Sequence, residues 1–189
     1  MAKMKLDKRS LAVQHAASRD PLRYILHCVK VTPEWVVATD GRILIRVKNG
    51  AAQPDDAKGE VLLSKCAVGF VKKMFGNAKS SHPVTLEVGE DKKLRAEGFA
   101  ADGSIKLEAP HPEGKFPEYE KVVPKDTEHR FTINVGILEK AVKAAKAAGV
   151  EGLSFFQKKD NKRSALELRG SGMLDGVEEI SIIVMPMRY

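Results

Sequence analysis

With 189 residues, 43% of them hydrophobic, the chain can bury a real core and has the length of one large domain or one and a half ordinary ones. Its apolar runs fall far short of a bilayer span, and Met1-Ala2-Lys3-Met4-Lys5-Leu6 lacks the apolar stretch of a secretion signal, which excludes a helical membrane protein and predicts a soluble, cytoplasmic one. The net charge of +7 suits a polyanion partner as well as plain solubility, but lysine and arginine are spread along the whole chain, and a localised basic arm is excluded.

In chain order, Lys3 to Leu6 reads as a strand, Asp7 as a helix N-cap and the residues through about Gln14 as a short helix. Strands follow over Leu22 to Val31, Trp35 to Thr39 and Ile43 to Lys48. The same order then recurs. Glu60 to Leu63 is a strand, Ser64 an N-cap and Lys65 to Phe75 a helix closed by Gly76, with strands near Val84 to Val88, Leu94 to Phe99 and Gly103 to Glu108. It recurs once more: strand Phe131 to Ile133, N-cap Asn134, helix Val135 to Ala148 closed by Gly149, and strands Leu153 to Lys158, Ala165 to Arg169 and Val177 to Val184. Three strand-helix-three-strand units (1–57, 58–124 and 125–189) thus exhaust the chain, and the fold class is α+β.

Two helices divide their faces cleanly. Leu138, Ala141, Val142, Ala145 and Ala148 share one side of the third-unit helix, opposite Lys140, Lys143 and Lys146. On the second-unit helix Ala67, Phe70, Val71 and Met74 form the apolar stripe, and Lys65 and Lys72 lie on the other side. A lysine face is ordinarily just solvated. Two in equivalent positions of a repeat would line one basic surface if the repeats stacked about a common axis, and such a surface would contact phosphates without reading bases.

Catalytic chemistry leaves almost no trace. His15, His27, His82, His111 and His129 are isolated from one another and from acids at ligand spacing, so no metal site is indicated. There is no phosphate-binding glycine loop, and Gly170-Ser171-Gly172 lacks the surroundings of a nucleophile elbow. Asp40-Gly41 between two β-branched strands is a hairpin signal rather than a catalytic acid. Cys28 and Cys66 have neither metal nor redox spacing and read as small hydrophobes. No cofactor is expected. The unusual stretch is Val184-Met185-Pro186-Met187-Arg188-Tyr189, where thioethers continue an apolar strand around a proline that ends its ladder. Methionine adapts to irregular apolar ligands and is common on binding surfaces.

Three motifs in order then carry a resemblance: Val37-Ala38-Thr39-Asp40-Gly41-Arg42 with Leu44; Gly114-Lys115-Phe116-Pro117-Glu118-Tyr119-Glu120-Lys121-Val122-Val123-Pro124; and Val184-Met185-Pro186-Met187-Arg188. Together they resemble the bacterial DNA sliding clamp, the beta subunit of DNA polymerase III. Clamps of that family have three domains of two units each and close as dimers around duplex DNA. The resemblance here covers the second domain (1–124) and the last half of the third (125–189).

The resemblance implies a non-enzymatic processivity or tethering factor that binds duplex DNA non-specifically and docks DNA polymerase or similar partners in a peptide cleft. The matching cleft positions are Leu26, Thr39, Gly41, Leu44, Pro117, Val122, Ile183, Met185, Pro186, Met187 and Arg188, with Lys65, Lys72, Lys140, Lys143 and Lys146 toward DNA. Arg42-Ile43 stands where the family has a more polar pair, and Tyr189 where it has an aliphatic residue. The alternative is an adaptor or decoy that captures clamp-binding peptides without a ring.

A lone third unit is expected to expose Leu138, Val142 and Ala145 and an unpaired sheet edge. Two chains could cover these by pairing residues 125–189 as an isologous dimer, and two dimers would hold the twelve units of the family's ring.

Overall fold

Two units divide the chain, Met1–Val123 and Pro124–Tyr189, in the computed structural model, which describes residues 2–74, 83–100, 103–125, 127, 131–158, 164–171 and 178–187. Strand β1 (Ala2–Leu6) turns Met4 and Leu6 fully inward. It leads straight into a 3-10 helix, Lys8–Ala16, whose N-cap Asp7 accepts the Arg9 amide at 3.0 Å. β2 (Val29–Val31), β3 (Trp35–Thr39) and β4 (Leu44–Lys48) follow. The second half of this unit repeats the order with β5 (Val61–Leu63), α1 (Lys65–Met74), β6 (Val84–Val88), β7 (Lys93–Ala100) and β8 (Gly103–Pro110).

The two halves trade their first strands. The sheets run β1-β6-β7-β8 and β4-β3-β2-β5, so β1 completes the sheet of the second half and β5 that of the first. A strand that runs directly into a helix has no hairpin with which to pair back on its successor, so it pairs with its counterpart's sheet instead. Both joints are antiparallel and in register: Leu6 lies opposite Val84 and Met4 opposite Leu86, while Leu63 lies opposite Val29 and Val61 opposite Val31. All eight of these side chains are buried in one core with Leu11 and Val13 of the 3-10 helix and Ala67, Val68 and Val71 of α1. Burying each Val, Leu or Met fully contributes about 1.5–3 kcal/mol, so the exchanged strands are among the strongest ties in the unit.

Several sequence expectations need correcting. The segment from Leu22 is not one long strand: Asp20 and Pro21 begin a turn, Tyr24–His27 forms a 3-10 turn, and only Val29–Val31 pairs. Leu22 is 89% exposed, so nothing draws it into a sheet. Leu26 therefore sits in a turn rather than on a strand. The first helix is 3-10 and reaches Ala16. On α1, Val68 rather than Phe70 completes the buried stripe, and the expected end at Phe75 and Gly76 lies outside the described residues.

Leu62, between two core residues, points to the opposite face of its sheet, where it meets Cys28, Val37, Phe116 and Tyr119. The segment around Phe116 thus covers the second face of β4-β3-β2-β5. Burial pushes the Tyr119 phenol up to about 12. His111, just past β8, accepts the Leu62 amide on Nε2 at 3.1 Å, a bond only a neutral ring can make. Burial depresses its pKa below 6.5, opposed in part by Glu60. A histidine neutral in the folded state contributes stability that is present above its unfolded pKa and lost as pH falls through that value toward the folded one. Chemical denaturation is therefore expected to show a lower midpoint at pH 5.5 than at 7.5, and a smaller difference between the two in His111→Ala.

Unit 2 holds α2 (Val135–Ala147), β9 (Gly152–Gln157), β10 (Leu166–Ser171) and β11 (Glu178–Val184), the sheet running β11-β10-β9. Asn134 caps α2 by accepting the Gly136 and Ile137 amides at 2.9 and 3.2 Å. Gly170 lies where an added Cβ would come within 2.4 Å of Val150 and 2.7 Å of Ile180, a close approach that permits the irregularity in the β10–β11 pairing. The core is small: Ala141, Leu166, Leu168 and Val184, with Phe131, Ile133, Leu138, Leu153 and Ile182 packed partly against it.

Here too the expectation shifts. The segment 131–133 forms no strand and joins no sheet among the described residues, and Ala145 is buried and Leu138 half-buried rather than exposed. Of the three residues expected on the surface only Val142, 36% exposed, lies there, joined by Ile137 and Phe155.

Candidate functional site

The β3–β4 hairpin is built by its own side chains. Thr39 Oγ1 donates to the Ile43 carbonyl at 2.7 Å and accepts the Gly41 amide at 3.0 Å, and Asp40 Oδ1 accepts the amides of Arg42 and Ile43 at 2.8 and 2.9 Å. Those amides hold the Asp40 carboxyl below the usual carboxylate range. Gly41 has φ +90°, a conformation that costs other residues about 1–2 kcal/mol. Asp40 is thus spent on the turn, and Thr39, though buried, fixes a small polar loop at the end of β3.

Around this loop the structure gathers most of the sequence-picked residues of unit 1. Leu44 packs on the Phe116 and Tyr119 cluster together with Ile25, and Pro117 directly follows Phe116. Leu26 is nine-tenths buried, its amide bonded to the Arg23 carbonyl at 2.9 Å. The Arg23 guanidinium in turn lies against Gly41, and Ile25 and Tyr24 lie against Gly114 at the start of the Pro117 segment. Hairpin, turn and linker are therefore one neighbourhood. Val122 stands at the far end of the 3-10 turn Tyr119–Lys121 and is 71% exposed. Sequence reasoning missed Arg23, Tyr24 and Ile25, since nothing in a Pro-Leu-Arg-Tyr run says that it folds back on a hairpin further along the chain.

Unit 2 carries the methionine segment. Val184 is buried in the core, and Ile183, Met185 and Met187 are 63%, 62% and 40% exposed. The alternation of a strand continues past its last ladder residue, so that one row of apolar side chains faces outward. The Met187 amide donates to the Thr132 carbonyl at 2.8 Å, which fixes the tail beyond Pro186. Arg188 lies outside the described residues.

The lysines fall on exposed faces. Lys65 and Lys72 of α1 and Lys140, Lys143 and Lys146 of α2 all reach solvent. Lys143 pairs with Glu139 at 2.7 Å, whereas no ion pair to Lys140 or Lys146 is found among the described residues. In unit 1, Lys65 also lines a cavity of about 420 Å³ with His15, Arg19 and His27. His27 Nε2 donates to the Asp20 carbonyl at 2.6 Å, which holds its ring in place. This cluster was not legible in the sequence, because its members come from separate stretches.

Among the described residues no three His, Cys, Asp or Glu side chains are grouped to hold a metal ion, and no helix is long and apolar enough to cross a membrane.

No protein-family model and no curated protein matches the chain. Solved structures do. The DNA polymerase III subunit beta from Pseudomonas aeruginosa superposes with a TM-score of 0.73 at 17% identity, over 98% of this chain and 51% of that one. The beta sliding clamp of Caulobacter crescentus gives 0.69 at 21% identity, over 98% and 50%. The DNA polymerase III beta chain from Streptococcus pneumoniae gives 0.68 at 14%, over 100% and 50%. The chain spans about half the length of each of these proteins, and its fold is that of the corresponding half of a bacterial beta sliding clamp.

Proposed function

We propose that this protein is a sliding-clamp-like tether, which holds duplex DNA non-specifically as an oligomer and docks polymerase-type partners through a short peptide. The observation that carries the reading is the outward row of Ile183, Met185 and Met187 beside the buried Val184, on a clamp fold that also presents the Thr39 hairpin. Leu26, Thr39, Gly41, Leu44, Pro117 and Val122 in unit 1 and Ile183, Met185, Pro186, Met187 and Arg188 in unit 2 are the residues we assign to peptide docking. Partly apolar surface with a few backbone and hydroxyl handles suits a short linear motif.

Lys65, Lys72, Lys140, Lys143 and Lys146 would contact phosphates, with Arg19 added to Lys65 by the cavity they share. A tether of this kind needs no catalytic group or cofactor and would work in the cytoplasm. As an oligomer it would pair through residues 125–189, and a ring of two such dimers would encircle the DNA. Retention on circular DNA with release on linearisation is the expected result. A second reading is an adaptor or decoy that captures clamp-binding peptides without a ring; peptide capture with no topological retention on DNA would select it.

A further inference from the structure

We propose that a second copy of this chain completes unit 2 by reciprocal strand exchange, the segment 131–133 of each copy adding to the β9 edge of the other. The template is unit 1. There the residue just before each helix N-cap lies opposite a core-facing residue of the other half's first sheet strand: Leu6, before Asp7, opposite Val84, and Leu63, before Ser64, opposite Val29. In both halves the chain beyond the third sheet strand returns to the leading strand of its own half, by Asn49 Nδ2 donating to the Lys5 carbonyl at 2.8 Å and by the Leu62 amide donating to His111.

Unit 2 has the same parts. Ile133 precedes the N-cap Asn134, and the Met187 amide, beyond the third strand, donates to the Thr132 carbonyl. Residues 131–133 therefore stand where β1 and β5 stand. The missing part is the sheet to which they would be added: among the described residues β11-β10-β9 ends at β9, where both sheets of unit 1 have a fourth strand.

That edge is built to be covered. Gly152–Gln157 contains no charge and no proline, the usual protections of a solvent-facing edge. Phe155 is 48% exposed although its neighbour across the ladder, Leu168, is fully buried. Residues directly opposite in a sheet share a face, which sets the register. Ile133 and Leu153 both pack toward the core, so they oppose each other, with Thr132 opposite Ser154 and Phe131 opposite Phe155. Within one chain Phe131 already stacks on its own Phe155, centroids 6.4 Å apart and rings 12° from parallel. Exchange transfers that aromatic pairing to the partner and adds a ladder. The two-fold operation does this twice, giving the isologous interface that a C2 dimer requires. This inference rests on the oligomeric part of the proposed function and needs neither DNA nor peptide.

The test is light scattering on the full chain at micromolar concentration, with crosslinking. The dimer mass is expected for the wild type. Ser154→Pro, which places a ring and no N–H on the ladder, should raise the dimer dissociation constant on the order of 100-fold. Since that variant could disturb unit 2 by itself, Thr132→Cys with Ser154→Cys, in a Cys28→Ala and Cys66→Ser background, is treated with a short bismaleimide. A covalent dimer that forms with the pair but with neither cysteine alone supports the exchange. A wild-type monomer, a dimer indifferent to Ser154→Pro, or a link only within one chain would overturn it. Peptide capture and DNA retention are scored separately, so a monomer that still captures peptide refutes the exchange and leaves docking standing.

Discussion

Changing Met185 and Met187 together to alanine is expected to abolish capture of a clamp-binding peptide while leaving the thermal midpoint nearly unchanged. Both side chains are largely exposed, at 62% and 40%, and neither belongs to the unit 2 core. Their truncation therefore removes little from the folded chain. If they close over a bound peptide, each contributes part of the roughly 1.5–3 kcal/mol that full burial of a methionine is worth, and losing both should weaken binding on the order of 100-fold. The control is Val184→Ala, one residue away on the opposite face and 4% exposed. It should lower stability by about 1–3 kcal/mol, the usual cost of a core truncation, with peptide affinity unchanged in the folded fraction. Calorimetry and fluorescence anisotropy on the three proteins decide the matter. A double methionine variant that loses stability in step with peptide binding would mean that the tail is core after all.

Reversing the lysines of α2 is the second large effect. Lys140→Glu, Lys143→Glu and Lys146→Glu together should lower affinity for duplex DNA by about 10³-fold or more in low salt, because three attractions to phosphate become repulsions. The log-log salt slope should become shallower by about 0.9 for each phosphate that is no longer neutralised. The structure ranks the three singly. Lys143 is already paired with Glu139 at 2.7 Å, so its reversal should matter least, and Lys140 and Lys146 should carry most of the effect. Affinity in low salt that does not change in the triple variant would return these side chains to an ordinary solvated helix face. Lys65→Glu in unit 1 tests whether the cavity it shares with Arg19, His15 and His27 belongs to the same surface.

Much of the local architecture was legible in residue order. Asn134 before an apolar stripe, Ser64 before another and Asp40-Gly41 between two β-branched runs are short-range signals, and the helix starts and the hairpin stand where they place them. Leu22–Val31 misread because its apolar residues look like a strand while Asp20 and Pro21 set up a turn; Tyr24 and Leu22 end in solvent. The methionine row was legible too, since strand alternation through the buried Val184 puts Ile183 and Met185 outside. Arg23 and the His15, Arg19 and His27 cluster were not, because folding alone brings those stretches beside Gly41 and Lys65.

By itself the sequence determined the order of strand, helix and three strands in both halves of unit 1 and of helix and three strands in unit 2, the helix caps, the Asp40-Gly41 hairpin and the odd apolar end, all of which depend on neighbours within a few residues. Only the tertiary structure decided which sheet each leading strand joins. Leu6 must meet Val84 and Leu63 must meet Val29, far apart along the chain, and short apolar strands hold no record of which equally apolar edge they will find. That choice comes from burying one face of each of the two sheets in a shared core, and among the described residues of unit 2 it leaves β9 at the edge of its sheet.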